Sequence, residues 1–305
     1  QDNSKLVNSG TLTLGGAGAF QGLGVDDNVA GQPNLTGLSG GRLTLSGAGS
    51  HAEIVAATTI SNGSNEITRD AGSSALLGMN AITRSVGGTV DFGAGSIAVT
   101  DTVNSAAGIL GGYATVGRTN WAVSSSALSL TSVAWTDATD TLGISSLPNG
   151  TPVEFSGNVP GGLAANTLYF IVNNTGSTSQ ASATLGGTPI AITSNGTNGT
   201  VDRRAFVTSL AASGYNSGLA TDTYGLNFNT DVINFTAPAD VDVNPGVITN
   251  TMRFDKAAGG TLTMTDDLFL QTGGILVTPN SGNTIITGGT IQNNATGGGL
   301  EAVII

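Results

Sequence analysis

Side-chain catalysis needs a nucleophile beside a base, or acids held on one face. This sequence offers few places for either. His51 is the only histidine, so a Ser-His-Asp arrangement would have to use it. Glu53 is close and serines abound, but no Gly-x-Ser-x-Gly elbow leads into a helix. His51 therefore reads as a loop or rung residue. Glycoside-cleaving enzymes built from strands gather carboxylates on one face. The candidates are Asp26-Asp27, Asp137 with Asp140, Asp240 with Asp242, and Asp266-Asp267. Neighbours on a strand point to opposite faces, so Asp266 and Asp267 cannot act together, whereas Asp240 and Asp242 can share a face. No lysine or arginine lies near Asp242 in the chain to assist them. The reading is that the protein is not an enzyme.

Asp240-Val241-Asp242-Val243-Asn244 does place oxygen-bearing side chains at alternate positions. Asp240, Asp242 and Asn244 are thus the one candidate set for a loose Ca2+ site, because calcium takes several oxygen ligands in flexible geometry. The glycine-rich calcium repeat of solenoid toxins and the EF-hand loop are both absent. No other cofactor is expected. With no cysteine and one histidine, thiolate chemistry, disulfides and Cys/His zinc sites are excluded. Gly15-Gly16-Ala17-Gly18 lacks the Lys-Ser/Thr and the following helix of a phosphate loop. The net charge is −11, and the basic residues are scattered, with only Arg203-Arg204 adjacent. Nucleic acid is therefore not an expected partner, since phosphate binding needs a basic stripe. Tyr169 and Phe170 are candidates for stacking on a sugar; by strand alternation one of them must face inward.

Strands must position all of these groups, because helix signals are nearly absent. The one weak helical run is Ala205–Ser213. Short runs such as Thr11-Leu12-Thr13-Leu14, Arg42-Leu43-Thr44-Leu45 and Thr261-Leu262-Thr263-Met264 alternate apolar and polar residues, which is the pattern of half-buried strands. Gly-Gly pairs recur before strands at Gly40-Gly41, Gly87-Gly88, Gly259-Gly260, Gly273-Gly274 and Gly288-Gly289. A corner followed by a strand at near-constant spacing is how a solenoid rung reads. Charged residues are only 10% and aromatics 5%, which suits a thin, layered core more than a compact enzyme. A β-sandwich would show similar strand density, but tight hairpin signals are few. Three of the four Asn-Gly pairs, at Asn149, Asn195 and Asn198, fall in one segment. That segment, 136–202, also holds Pro148, Pro160 and Pro189 and reads as a small antiparallel module. No stretch is apolar enough to span a bilayer. The apolar end Leu300–Ile305 reads as a cut through a longer chain or an edge that pairs with a neighbour.

The run Ala81-Ile82-Thr83-Arg84-Ser85-Val86-Gly87-Gly88-Thr89-Val90-Asp91-Phe92 resembles a phrase of bacterial autotransporter-associated β-strand repeat proteins. Ala107–Val116, followed by Asn120-Trp121-Ala122, is similar to the phrase that comes after it there. The order Met252-Arg253-Phe254, Gly259–Thr263, Gly273–Pro279 and Gly288–Ile291 resembles the same family. Gly150–Phe155, Gly161–Ala164 and Leu168–Val172 resemble a small β module of phage tail and surface proteins. The resemblance implies a long secreted or surface-displayed bacterial passenger with a right-handed parallel β-helix and no catalytic residues.

The expectation is therefore an all-β chain: a right-handed parallel β-helix (solenoid) with an inserted small antiparallel β module. Rungs are expected over 1–135 and 203–305, with the module at 136–202. The expected role is structural, as a stalk, coat or fibre at the cell surface or outside the cell. Its partner would be a second copy stacked end to end, or more of a longer chain. An adhesin gripping glycans through the module is the alternative, and a polysaccharide lyase or hydrolase the least favoured.

Overall fold

A computed structural model describes residues 11–15, 35–38, 41–46, 52–54, 57–72, 76–105, 107–124, 128–165, 167–211, 228–235, 241–243, 247–264, 267–293 and 303–305. Among them the only helical piece is a single 3-10 turn, Asp137–Thr139. The rest is strand and turn, stacked into a β-solenoid of about eight turns.

The first ladder has three parallel faces. One stacks Thr11–Gly15, Arg42–Ser46, Gly63–Arg69, Gly88–Phe92 and Ala114–Val116. The second stacks Ala52–Ile54, Leu76–Gly78 and Ala98–Thr100. The third stacks Leu35–Leu38, Ala57–Ile60 and Ala81–Arg84. Equivalent residues in adjacent coils are typically 24 apart, as Thr44 and Thr68 or Thr59 and Thr83 show.

Alternation builds the core. Leu43, Ile67, Phe92 and Val116 fall in one register column and all point inward, at 0 to 4% exposure. The neighbouring column, Arg42, Glu66, Asp91 and Thr115, points away from that core, although Asp91 and Thr115 are covered by their neighbours. Hydroxyls in successive coils meet at 3.1 Å for Thr44–Thr68 and 3.0 Å for Thr59–Thr83. The Gly87-Gly88 pair is a true corner. Gly87 has φ of +78°, and a Cβ on Gly88 would sit 2.6 Å from the Ser61 carbonyl oxygen of the preceding coil. A side chain there would separate the two coils.

Gly273-Gly274 plays a different part. It lies inside the single strand Leu268–Val277, whose first half pairs with Ile291–Asn293 and second half with Val303–Ile304. The pairing register shifts between Leu270 and Gly274 while the strand stays in the ladder.

The antiparallel module comprises strands Leu128–Thr136, Thr141–Leu142, Pro152–Gly157, Leu168–Val172, Gln180–Ser182 and Gly196–Arg203. The expected range 136–202 lies within it. Its 6 strands close on themselves, because Leu142 at one edge pairs with Ser179 beside the other. Leu142 N–H donates to Ser179 O at 2.8 Å, and Ser179 N–H returns the bond at 3.0 Å. The result is a small barrel, which removes the exposed edges that an open sheet would carry. Trp135, Phe155, Tyr169, Ile171 and Val201 fill it. The Asn-Gly pairs at Asn195 and Asn198 are not hairpin turns. Gly196 and Gly199 lie on strand Gly196–Arg203, directly against the indole of Trp135, so the ring can lie flat on bare backbone.

The chain leaves the barrel and returns to the first ladder. Ala205–Phe206 pairs antiparallel with Ala98–Thr100, and Thr208–Ser209 pairs antiparallel with Asn120–Val123. The run at Ala205–Ser213 that carried a weak helix signal thus holds two short strands and no helix among its described residues. Asn120–Val123 itself runs antiparallel to Ala114–Val116. The parallel stack therefore ends in antiparallel strands on two faces.

A second ladder follows. Phe228–Phe235, Val247–Phe254 and Leu268–Val277 stack in parallel on one side, and Val241–Val243, Gly260–Met264 and Thr284–Gly288 on another. Met252, Phe254, Leu262, Leu270 and Ile275 form its core. Among the described residues no strand of this ladder pairs with a strand of the first. The two meet where Trp121 and Ile109 pack on Leu276, and where Arg253 Nε donates to the Thr119 carbonyl oxygen at 2.6 Å.

Candidate functional site at the barrel and solenoid junction

The acids singled out from sequence do not converge where they are described. Asp140 sits in left-handed backbone after the 3-10 turn, and its Oδ1 accepts the Ile192 N–H at 2.8 Å. Asp137 opens that turn as an exposed residue. Asp267 accepts a bond from Gln292 Nε2 at 2.6 Å. Asp242 lies in strand Val241–Val243 at the register position of Thr263. Asp240 and Asn244 lie outside the described residues, as do His51, Asp26, Asp27 and Asp266. Among the described residues no cluster of three His, Cys, Asp or Glu side chains could hold a metal ion. Nor is any helix there long and apolar enough to cross a membrane.

Tyr169 and Phe170 are both buried, at 6% and 3% exposure, so neither offers a ring to a sugar. Alternation placed one of them inward correctly; the other is covered by a neighbour the sequence did not reveal. Tyr169 lies inside the barrel, edge-on to Phe155 at 5.7 Å, and its hydroxyl accepts the Ala164 N–H at 2.9 Å. Phe170 and Leu168 point outward from the barrel and pack on Leu76, Val99 and Phe206 of the solenoid. The whole strand Leu168–Val172 is buried, as expected for a strand covered on both faces.

Beside this apolar contact is a charged one. Arg204, at the exit from the barrel, forks onto Glu154 with Nε to Oε1 at 2.9 Å and Nη2 to Oε2 at 2.7 Å. Its Nη1 reaches Asp101 Oδ2 of the solenoid at 2.8 Å. The side chains of Arg204 and Glu154 are only 15% and 7% exposed. Burial pulls the Arg204 guanidinium down, but the bond and charge of Glu154, with Asp101 and Asp202, outweigh it and hold it above its ordinary value. A bidentate Arg–carboxylate pair is geometrically demanding, so this cluster fixes the barrel on the ladder. Sequence reading noted Arg203-Arg204 only as adjacent charges. The missed signal was Glu154, a carboxylate set between Val153 and Phe155 in an otherwise apolar strand.

A cleft of about 450 Å³ opens beside the clamp. Pro148, Asn149, Gly150, Thr151 and Pro152 form one wall, and Arg203, Arg204, Phe206 and Thr208 the other. Clefts of this size at junctions between folded units are common ligand sites. Its lining carries two guanidiniums, one amide and two hydroxyls, and no carboxylate.

Asp91 is the other buried acid. Its Oδ1 accepts Thr115 Oγ1 and the Arg118 N–H, both at 2.7 Å. Burial pushes its carboxyl above the usual range, and these two bonds with the Arg118 charge only partly offset that. Glu66, one coil earlier, bonds Arg42 and lies 3.4 Å from Arg118. These charges form a ladder between successive coils.

No family model matches the chain, and no curated protein or solved structure is found to resemble it.

Proposed function

We propose that the chain is a non-catalytic structural protein of the cell surface or extracellular space, a rigid β-solenoid element of a stalk, coat or fibre that associates end to end. The observation that carries this reading is the coil-on-coil parallel register of the first ladder, with inward columns such as Leu43–Ile67–Phe92–Val116 buried throughout. Stacked repeats of this kind give length and stiffness from nearest-neighbour contacts alone. The resemblance to passenger-type repeats supports the surface location. Electron microscopy of the purified chain tests the proposal: rods that lengthen with concentration are expected, and compact particles of fixed size would overturn it.

A second reading, adhesion through the barrel, draws on one observation. A cleft lined by two arginines lies where the barrel meets the ladder. Tyr169 and Phe170 take no part in it. A glycan array probed with the full chain tests this, with binding expected and silence across the array against it.

A further inference from the structure

We infer that the cleft between residues 148–152 and 203–208 takes a neutral sugar, a hexopyranose unit of an uncharged glycan. This rests on the adhesive reading and names its ligand class.

Charge narrows the class first. Both guanidiniums of the lining are engaged. Arg204 is held by Glu154 and Asp101, and Arg203 has an interaction of its own. An anionic ligand therefore meets no unspent cation, and it approaches a molecule of net charge −11, whose field repels it. A cationic ligand fares no better, because no carboxylate lines the cleft to pair with it. An uncharged ligand is what remains.

The unspent polar groups then describe it. Four backbone donors of the two walls are used: Gly150 N–H on Ile171 O at 2.7 Å, Thr151 N–H on Pro148 O at 3.2 Å, Arg204 N–H on Pro152 O at 2.8 Å and Val207 N–H on Ala98 O at 2.9 Å. None of them can serve an extended peptide adding as a strand. The Thr151 hydroxyl is used too, donating to Pro148 O at 2.7 Å. Two side-chain groups are left. Asn149 Oδ1 accepts the Asn174 N–H at 2.8 Å, and Asn174 Nδ2 is itself fixed on the Leu147 and Ser145 carbonyls at 2.5 and 3.3 Å. The Asn149 amide is thus oriented in advance, with Nδ2 as its unspent donor. The Thr208 hydroxyl, on the opposite wall, can both donate and accept. Among the described residues neither Asn149 Nδ2 nor the Thr208 hydroxyl has a partner. A preset amide donor and a hydroxyl across a cleft suit the hydroxyls of a sugar ring.

Shape agrees. Pro148, Pro152 and Phe206 give apolar wall, and Leu185, 55% exposed, extends it beside Gly150. Apolar surface with a few fixed polar groups is the usual make-up of a small-molecule site. A pyranose has an apolar C–H face and a polar edge, so it uses both kinds of surface at once. The cleft, at about 450 Å³, has room for such a ring.

The test is titration calorimetry of the full chain with maltotriose, cellotriose, mannotriose and galactotriose, and with trigalacturonate as the acidic counterpart. Saturable binding of at least one neutral trisaccharide is expected, and none of the acid. Asn149→Ala removes the amide, and Thr208→Val keeps the branched shape while removing only the hydroxyl. Each should weaken binding by about tenfold, the loss expected for one hydrogen bond. Asn149→Ala also strips the Asn174 N–H of its acceptor and so disturbs the turn. Thr208→Val breaks no hydrogen bond of the parent, should keep its circular dichroism and melting, and leaves the inference open to refutation. No binding of any of the four, equal binding of the acid, or neutral binding untouched by both variants would overturn the site. If a glycan array then shows sugars bound equally by parent and variants, this site fails and adhesion through another surface stands; silence across the array removes both.

Discussion

The barrel and the first ladder solve the same problem in opposite ways. Both are sheets with one apolar face, and both must dispose of their edges. The barrel closes on itself through Leu142 and Ser179, so its hydrogen bonding is complete within about 75 residues of chain, as its strand limits Leu128 and Arg203 show. The ladder never closes. Each strand finds its partner one coil later, and on two faces the stack ends where antiparallel strands lie across it. The segment leaving the barrel supplies two of those strands, Ala205–Phe206 and Thr208–Ser209. A self-sufficient unit thus terminates an open-ended one, and the two are joined by Arg204 and the Leu168–Phe170 contact.

The largest expected effects set core against core. Phe92→Ala and Trp135→Ala should each cost about 3–5 kcal/mol, the range for emptying a large buried aromatic site. Denaturant unfolding followed by hydrogen exchange separates them. Phe92→Ala should loosen coils on both sides of it, whereas Trp135→Ala should loosen the barrel alone. Loss spread equally through both units by either variant would refute the division.

Next is the link between them. Arg204→Ala leaves Glu154 buried without its partner, a change that typically costs about 3–5 kcal/mol. Scanning calorimetry should then show barrel and ladder melting separately, where the parent melts together. One shared transition in the variant would mean that the apolar contact of Phe170 and Leu168 suffices.

A smaller effect probes the corners. Gly88→Ala pushes a methyl to 2.6 Å from a backbone oxygen that cannot swing aside, so about 1–3 kcal/mol should be lost. The melting temperature should fall for the ladder while near-ultraviolet circular dichroism of the barrel tryptophan is kept.

The alternation of Leu43, Thr44 and Leu45 was enough to read ladder strands, because their surroundings repeat every coil and depend only on the local pattern. The same holds for the Gly87-Gly88 corner. Strand Leu168–Val172 was legible as strand, but not its burial on both faces, because the covering residues Leu76 and Val99 lie far away in the chain. Gly196 and Gly199 read as turns since Asn-Gly is a local turn signal; the indole of Trp135 across the sheet outranks it. The clamp was hidden for a similar reason. Nothing near Arg204 announces Asp101 or Glu154, and only the folded path brings the three together.

The smallest prediction concerns pH and compares the two ladders. Asp91 has a folded pKa raised above its unfolded value, chiefly by burial. Between those values the folded state binds more protons, so this group's contribution to stability falls as pH rises through that window. Asp255 behaves in reverse. Burial raises its carboxyl, but the Thr278 hydroxyl and the charge and bond of Arg253 outweigh this and hold it below the usual range. Its stabilisation is present above the unfolded pKa and is lost as pH falls through the folded one. Asp91→Asn should therefore flatten the pH–stability curve on its falling side, and Asp255→Asn on its rising side, in urea midpoints measured across the acid range. Identical shifts in both variants would contradict the assignment.

The 24-residue register of the middle coils has an evolutionary consequence. Because Ala57 meets Ala81 just as Arg42 meets Glu66, each pair one coil apart, a duplicated unit of 24 residues spliced in ahead of Ala98 would meet familiar neighbours above and below. Each such duplication would lengthen the shaft by about 4.8 Å and leave the barrel seated where it is. Relatives of this protein should accordingly differ in reach by whole repeats upstream of the junction, while the spacing from Ala98 to Ser209 stays fixed.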